Sequence, residues 1–339
     1  MRAAILSKLK EPLEIMEVHP QEPSGHEVVI RQRMTGICYR DILTKNGFFP
    51  RVKLPIIPGH EISGVIESIG PEVTGFRVGQ RVASLIYSPC GKCEYCMRGD
   101  ENLCPNKETY GERLNGAYSE LVTVNERSLV SVPDGIGDTD ASLAACVTGM
   151  LYNAMFRVGG LSRGQKVLIT GAGGGVGSHA IQIAKYLGAY VIAKTSSPWK
   201  RETLLKIGAD EVISSENFDR EIKEKHHDGV HLALEAVGLP TFERTLRSLR
   251  TGGKMVVVGN IYPEAVPLPL GLIILKGNSI SGSISSTRED MKKVLQMTAE
   301  RRLKAFSNKT ISLDEVNTAF KDIEQRMSLG RVMIDLRRN

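Results

Sequence analysis

Thr170-Gly171-Ala172-Gly173-Gly174-Gly175-Val176-Gly177 restricts the fold more than any other stretch of this chain. A short β-branched run, Lys166-Val167-Leu168-Ile169, leads into it, and residues 178–187 leave it with helical periodicity. A glycine loop between a strand and a helix lets backbone approach a pyrophosphate, and the helix N-terminus adds amide donors. By spacing the fingerprint is Ala172-x-Gly174-x-x-Gly177, with Gly173, Gly175 and Val176 between; the bland alternative is a tight turn. The alternation continues through strand-like runs at 191–193, 211–213, 230–234 and 254–258. Gly188-Ala189 and Gly208-Ala209 stand where the intervening helices should stop. Such a pattern predicts an α/β domain, a doubly wound parallel sheet with helices on both faces.

The end of the second strand bears on the ligand of that loop. A dinucleotide with a free ribose hydroxyl wants Asp or Glu there. The chain has Thr195, Ser196 and Ser197 instead, followed by Lys200 and Arg201. Hydroxyls and cations suit a 2′-phosphate, so NADP(H) is expected over NAD(H). The alternative is a hydroxyl-rich turn that accepts both. Trp199, the single tryptophan, stands either at the adenine or on a rim with no role.

The first half has a different texture. Runs at 3–6, 13–18 and 27–31 alternate as strands, punctuated by Pro12, Pro20, Pro23 and Gly25, which reads as an antiparallel β domain. Pro58-Gly59-His60-Glu61 is a turn feeding a further strand through Val65, Ile66 and Ile69. Of six cysteines, four (Cys90, Cys93, Cys96 and Cys104) crowd into fifteen positions. Four thiolates can wrap one tetrahedral zinc and leave no open position, which is a structural role; disulfides are the alternative. Cys38, His60 and Cys146 are isolated, each at the end of a different element, with Cys146 inside a helix-capable run at 141–155. Three such ligands and one open position make a catalytic zinc site. Taken singly, His60 also reads as a turn histidine and Cys146 as a buried apolar cysteine. Asp41 can orient a ligand through His60, and Glu61 can serve as an alternate ligand or a charge-balancing neighbour.

At 339 residues two domains are expected, and 41% hydrophobic with 24% charged residues is ordinary for a globular chain. No apolar run reaches membrane length and no signal-peptide pattern opens the chain, so the expected location is cytoplasmic. The formal charge is +6, and two thiolate zinc sites would leave roughly +4. That suits anionic small ligands, and no basic block long enough for nucleic acid is present.

Gly59-His60-Glu61-x-x-Gly64-x5-Gly70-x-x-Val73, the four-cysteine lobe and Gly116-Ala117-Tyr118-Ser119-Glu120 together resemble the zinc-containing alcohol dehydrogenases of the medium-chain dehydrogenase/reductase superfamily, over nearly the whole length. The resemblance implies a GroES-like β domain at 1–146 with a zinc lobe at 88–106, a Rossmann NADP-binding domain at 147–283, and a return to the first domain at 284–339. It implies that Cys38, His60 and Cys146 bind catalytic zinc beside Glu61, and that Arg331 reaches the cofactor pyrophosphate. By the same resemblance Val237, Val258 and Gly259 are expected in segments that line the adenine and nicotinamide sides. Two zinc ions per chain and a homodimer or homotetramer are further implications.

The departures concern substrate. Two residues past the first zinc cysteine, where these enzymes carry a proton-relaying Ser or Thr, the chain has Arg40, and where a relay His often follows it has Leu43. Cys38-Tyr39-Arg40-Asp41, residues 146–150 and residues 270–276 look more like the archaeal acryloyl-CoA reductase branch. There Arg40, Arg51 and Lys53 would meet CoA phosphates or polarise a thioester; otherwise Arg40 pairs with a cofactor phosphate or a nearby carboxylate. The leading expectation is zinc-dependent, NADP(H)-linked hydride transfer on a small carbonyl or alcohol. An enoyl-thioester reductase taking an acyl-CoA is the second, and a non-catalytic NADPH-binding protein the third.

Overall fold

A computed structural model describes residues 1–262 and 264–338. The chain divides into two compact units, Met1–Gly149 with Ser285–Asn339, and Met150–Ile284. The first break falls after Gly149 and not after Cys146. The turn that carries Cys146 stays with the first unit, where the Thr148 hydroxyl donates to the Leu143 carbonyl at 2.9 Å.

The first unit is built on a five-stranded antiparallel sheet, in the order Leu129–Ser131, Arg81–Ser84, Ser63–Ile69, Glu27–Gln32, Leu121–Asn125. Period-two alternation turns Val28, Ile30, Ile66, Val82, Val122 and Val124 into one core. Each such side chain contributes about 1.5–3 kcal/mol when fully buried. A second core joins the N-terminal strands to the C-terminal segment through Leu6, Ile42, Tyr118, Phe320 and Ile334. The closing strand Val332–Asp335 pairs antiparallel with Met34–Ile37, Val332 opposite Ile37. That register brings residue 331 beside the strand end from which Cys38 emerges.

The helix-capable run at 141–155 is interrupted within this unit. Asp138–Ser142 is helical, but at Cys146 the backbone opens to φ −105°, ψ 108° inside a wide turn, Ala144–Gly149. Wide turns of this kind recur at functional sites, and the opening gives Cys146 a direction that an unbroken helix would not.

The second unit is a six-stranded parallel sheet in the order Glu211–Ile213, Tyr190–Lys194, Lys166–Ile169, Val230–Glu235, Leu249–Val257, Ser279–Gly282. Numbered along the chain this is 3-2-1-4-5-6, a Rossmann sheet. The glycine loop follows the first strand, at the point where strand order reverses, and opens the helix Gly175–Tyr186. Glycine is required at 177, because a Cβ there would strike the backbone of Gly171 and Ala172. Among the described residues no helix is long and apolar enough to cross a membrane.

Candidate active site

Three elements of the first unit converge on one buried point. Cys38 caps the helix Tyr39–Lys45, and its N–H donates to Asp41 Oδ2 at 3.0 Å in a capping box. The other Asp41 oxygen faces His60 Nδ1 at 2.9 Å. His60 follows Gly59, whose φ of +87° only glycine adopts without strain, and whose missing Cβ leaves room for the Tyr118 ring. The Tyr118 hydroxyl donates to Asp41 Oδ2 at 2.7 Å. The ligand atoms of Cys38, His60, Glu61 and Cys146 lie within 4.8 Å of one another.

The donor set fits zinc. With Nδ1 on a carboxylate, the imidazole proton belongs there, and Nε2 presents its lone pair. That Nε2 is buried without a hydrogen-bond partner among the described residues, a state that a bound metal would resolve. Without metal the cluster is electrostatically tense. Contact with Cys146, then Arg331 and His60, holds the Cys38 thiol well below its usual range against burial. Contact with Cys38, then burial, pushes the Cys146 thiol well above it. Burial opposes protonation of His60, yet the Asp41 carboxylate and Cys38 together push the imidazole up to about 10.

Arg331 belongs to this cluster. Its guanidinium donates to Glu61 Oε1 at 2.5 Å and to the Ile37 carbonyl at 3.2 Å, and lies 3.6 Å from Cys146 Sγ. Arg331 is 4% exposed and Glu61 0%. The strand register anchors the guanidinium, expected from the resemblance to reach a pyrophosphate, at the buried Glu61 carboxylate, which it neutralises. Burial still pushes the Glu61 carboxyl up to about 7 against the pull of Arg331.

The second cysteine group is also assembled. The Cys90, Cys93, Cys96 and Cys104 sulfurs lie within 4.8 Å of one another, and all are free thiols rather than disulfides. The Cys90 N–H already points at Cys104 Sγ, 3.5 Å away. Four sulfurs with no open position can hold a structural zinc. The lobe is tied down by Glu101, which accepts from Arg288 N and Nε at 3.1 and 3.0 Å.

In the second unit, the loop Ala172, Gly173, Gly174, Gly175, Val176, Gly177 opens its helix as expected of a phosphate cradle. Lys200 is not a free cation on the rim. It is 5% exposed; its stem crosses the loop so closely that a Cβ at Gly173 would strike it, and its ammonium lies 5.0 Å from the Trp199 ring centre. Thr195 is buried and accepts from the Ser197 N–H at 3.1 Å, while Ser196 is exposed. The Val237 side chain lies against Gly171, Val258 N–H donates to the Glu235 carbonyl at 2.9 Å, and Gly259 abuts the Ala236 carbonyl. Glu235 shapes this rim: Oε1 takes the Thr170 and Thr241 hydroxyls and the N–H groups of Val237 and Gly238, and Oε2 the Thr245 hydroxyl.

Comparison with known proteins agrees with this architecture. Residues 24–134 match the alcohol dehydrogenase GroES-like domain and residues 175–300 the zinc-binding dehydrogenase domain. An acryloyl-coenzyme A reductase of Sulfurisphaera tokodaii is 42% identical over 98% of this chain and 99% of its own. The chain belongs to the medium-chain dehydrogenase/reductase superfamily. As such it is an oxidoreductase, similar also to an alcohol dehydrogenase of Geobacillus stearothermophilus, 37% identical over 98% of this chain and 99% of that one. The crystal structure of the alcohol dehydrogenase from Aeropyrum pernix superposes with a TM-score of 0.92 at 27% identity, covering 99% of this chain and 100% of that one.

Within this medium-chain dehydrogenase/reductase the relay position is occupied as a salt bridge. Arg40 Nε donates to Glu112 Oε1 at 2.6 Å, and the guanidinium carbon lies 5.2 Å from the Phe49 ring centre. Of the alternatives weighed for Arg40, a nearby carboxylate is the one observed. Arg51 and Lys53 are exposed, and the Lys53 N–H donates to the Glu112 carbonyl at 2.9 Å. Glu112, Tyr118 and Lys194 are additions that spacing did not reveal. Lys194 is buried at the end of its strand, donating to the Thr195 and Ser214 carbonyls at 2.9 and 3.2 Å. Tyr118 stood inside a quoted motif without a role; Glu112 carried no local signal.

Proposed function

We propose that this oxidoreductase is zinc-assisted and NADP(H)-linked, with two zinc ions per chain, and that it reduces a bulky or activated carbonyl. The observation that carries the reading is that the ligand atoms of Cys38, His60, Glu61 and Cys146 lie within 4.8 Å of one another, while His60 Nε2 is buried without a hydrogen-bond partner among the described residues. Cys38, His60 and Cys146 would hold the catalytic ion, and Cys90, Cys93, Cys96 and Cys104 the structural one. A bound zinc supplies Lewis acidity toward a substrate oxygen, and a bound nicotinamide supplies or takes the hydride. Asp41 holds the His60 tautomer. Arg331 offsets the negative charge of Glu61 and two thiolates. The glycine loop and Lys200 would hold the cofactor phosphates, with Thr195, Ser196 and Ser197 toward the ribose. Arg40 stays protonated at any working pH, so it cannot accept an alcohol proton as a hydroxyl relay does. Simple primary alcohols are therefore poor substrates in this reading.

A second reading is favoured by one feature. A guanidinium beside Cys38, with exposed Arg51 and Lys53 near in sequence, suits an anionic thioester substrate, and the relative from Sulfurisphaera tokodaii acts on acryloyl-coenzyme A by name. In that chemistry the hydride goes to carbon. NADPH oxidation with a ketone panel and with acryloyl- and crotonyl-CoA, before and after chelation, separates the two. Ketone turnover lost with the metal supports the first reading. CoA-ester turnover that survives chelation replaces it with the second, and no turnover despite tight NADPH binding leaves a non-catalytic binder.

A further inference from the structure

We infer that Tyr118 is a positioning residue for the metal ligand His60, acting through Asp41. The inference rests on the reading of Cys38, His60 and Cys146 as a metal site. Tyr118 is fully buried, and it touches both segments that must be held relative to each other. Its hydroxyl donates to Asp41 Oδ2 at 2.7 Å. Its ring lies where a Cβ of Gly59, the residue before His60, would be. Its own backbone is pinned: Tyr118 N–H donates to the Pro58 carbonyl at 3.0 Å, and its carbonyl accepts from the Ala4 N–H at 2.8 Å. The Phe320 ring closes over it edge-on, with centroids 6.2 Å apart.

The consequence follows from counting donors on Asp41. Oδ2 accepts two, from Cys38 N–H and the Tyr118 hydroxyl, and Oδ1 faces His60 Nδ1. A buried carboxylate held by three donors across both oxygens is restricted in orientation and stays an acceptor toward His60. Without the phenol, Oδ2 keeps the backbone donor alone, and the carboxylate can rotate. That rotation turns the imidazole held on Oδ1, and with it the nitrogen that faces the metal. Second-shell groups of this type change metal affinity by about 10–100-fold when removed.

The test is metal binding rather than turnover. The holoprotein is stripped with a chelator and reloaded with Co²⁺, whose d–d absorption reports ligand geometry. Affinity is read by chelator competition for the parent, for Tyr118→Phe, and for a protein carrying 3-fluorotyrosine at 118. The fluorinated ring keeps its shape and burial, so it carries the test even where phenylalanine disturbs packing. The expected result is about ten-fold weaker cobalt at this site in Tyr118→Phe, an altered visible spectrum in both variants, and unchanged binding at the four-cysteine lobe. Equal affinities and spectra in parent and both variants would overturn the inference. A parent that binds no cobalt outside the lobe would overturn the metal reading on which it rests.

Discussion

Replacing Arg331 with methionine tests the buried charge balance of the site. The guanidinium is the cation hydrogen-bonded to Glu61, a carboxylate with no exposed surface. Removing one partner of a buried ion pair costs about 3–5 kcal/mol, because the other charge is left in a poor dielectric. Two features set where in that range the loss falls. Burial already holds the Glu61 carboxyl up at about 7 with Arg331 present, so without it the group takes a proton instead of persisting as a bare anion. The Ile37 carbonyl also loses a donor, at about 1 kcal/mol. The expected loss is about 3 kcal/mol, or a melting temperature lower by about 6–12 °C. Urea unfolding of the metal-free protein, followed by tyrosine and tryptophan fluorescence and by circular dichroism, measures it. The double variant Glu61→Gln with Arg331→Met leaves no unpaired charge and should recover at least half. A single variant within about 1 kcal/mol of the parent, or a double variant weaker than the single, would refute the reasoning; surface pairs routinely give losses that small.

Three further outcomes follow from the same geometry. Lys200→Met should raise KM for NADPH about ten-fold more than KM for NADH; an equal rise for both cofactors would show that Lys200 serves the loop and not a 2′-phosphate. Arg40→Thr puts a hydroxyl where the alcohol dehydrogenases relay protons, and should raise kcat/KM for primary alcohols by about ten-fold or more; a change confined to CoA esters would favour the thioester reading instead. Gly59→Ala forces a Cβ into the Tyr118 ring at a positive φ, and should cost at least about 2 kcal/mol in unfolding while weakening metal at His60 more than at the lobe; a neutral substitution would show that the loop before His60 is free to move.

Much of the fold was legible because it is local. Strand, glycine turn and helix follow one another directly from Lys166 to Tyr186, and the periodicities of two and of 3.6 are written into neighbouring residues. The same holds for Cys90 to Cys104, whose sulfurs are close in space because they are close in sequence. The run at 141–155 shows the limit of that reading. Its composition suits a helix throughout, yet the backbone opens at Cys146, since what bends it is packing inside the first unit and not the propensity of the run.

The residues proposed as metal ligands could be singled out from the chain alone, because cysteine and histidine at element ends have few other uses in such company. Their supports could not. Arg331 lies 270 residues from Glu61, Glu112 lies 72 from Arg40, and Tyr118 lies 77 from Asp41. No periodicity spans such separations. Strand register decides them: Val332 opposite Ile37 delivers Arg331 to Glu61, and a shift of one residue would turn every side chain of that strand to the other face. The sequence by itself determined the two kinds of sheet, the glycine loop and which residues can bind metal. The tertiary structure decided which charges and hydroxyls stand behind those ligands, because only packing brings distant segments within hydrogen-bond reach.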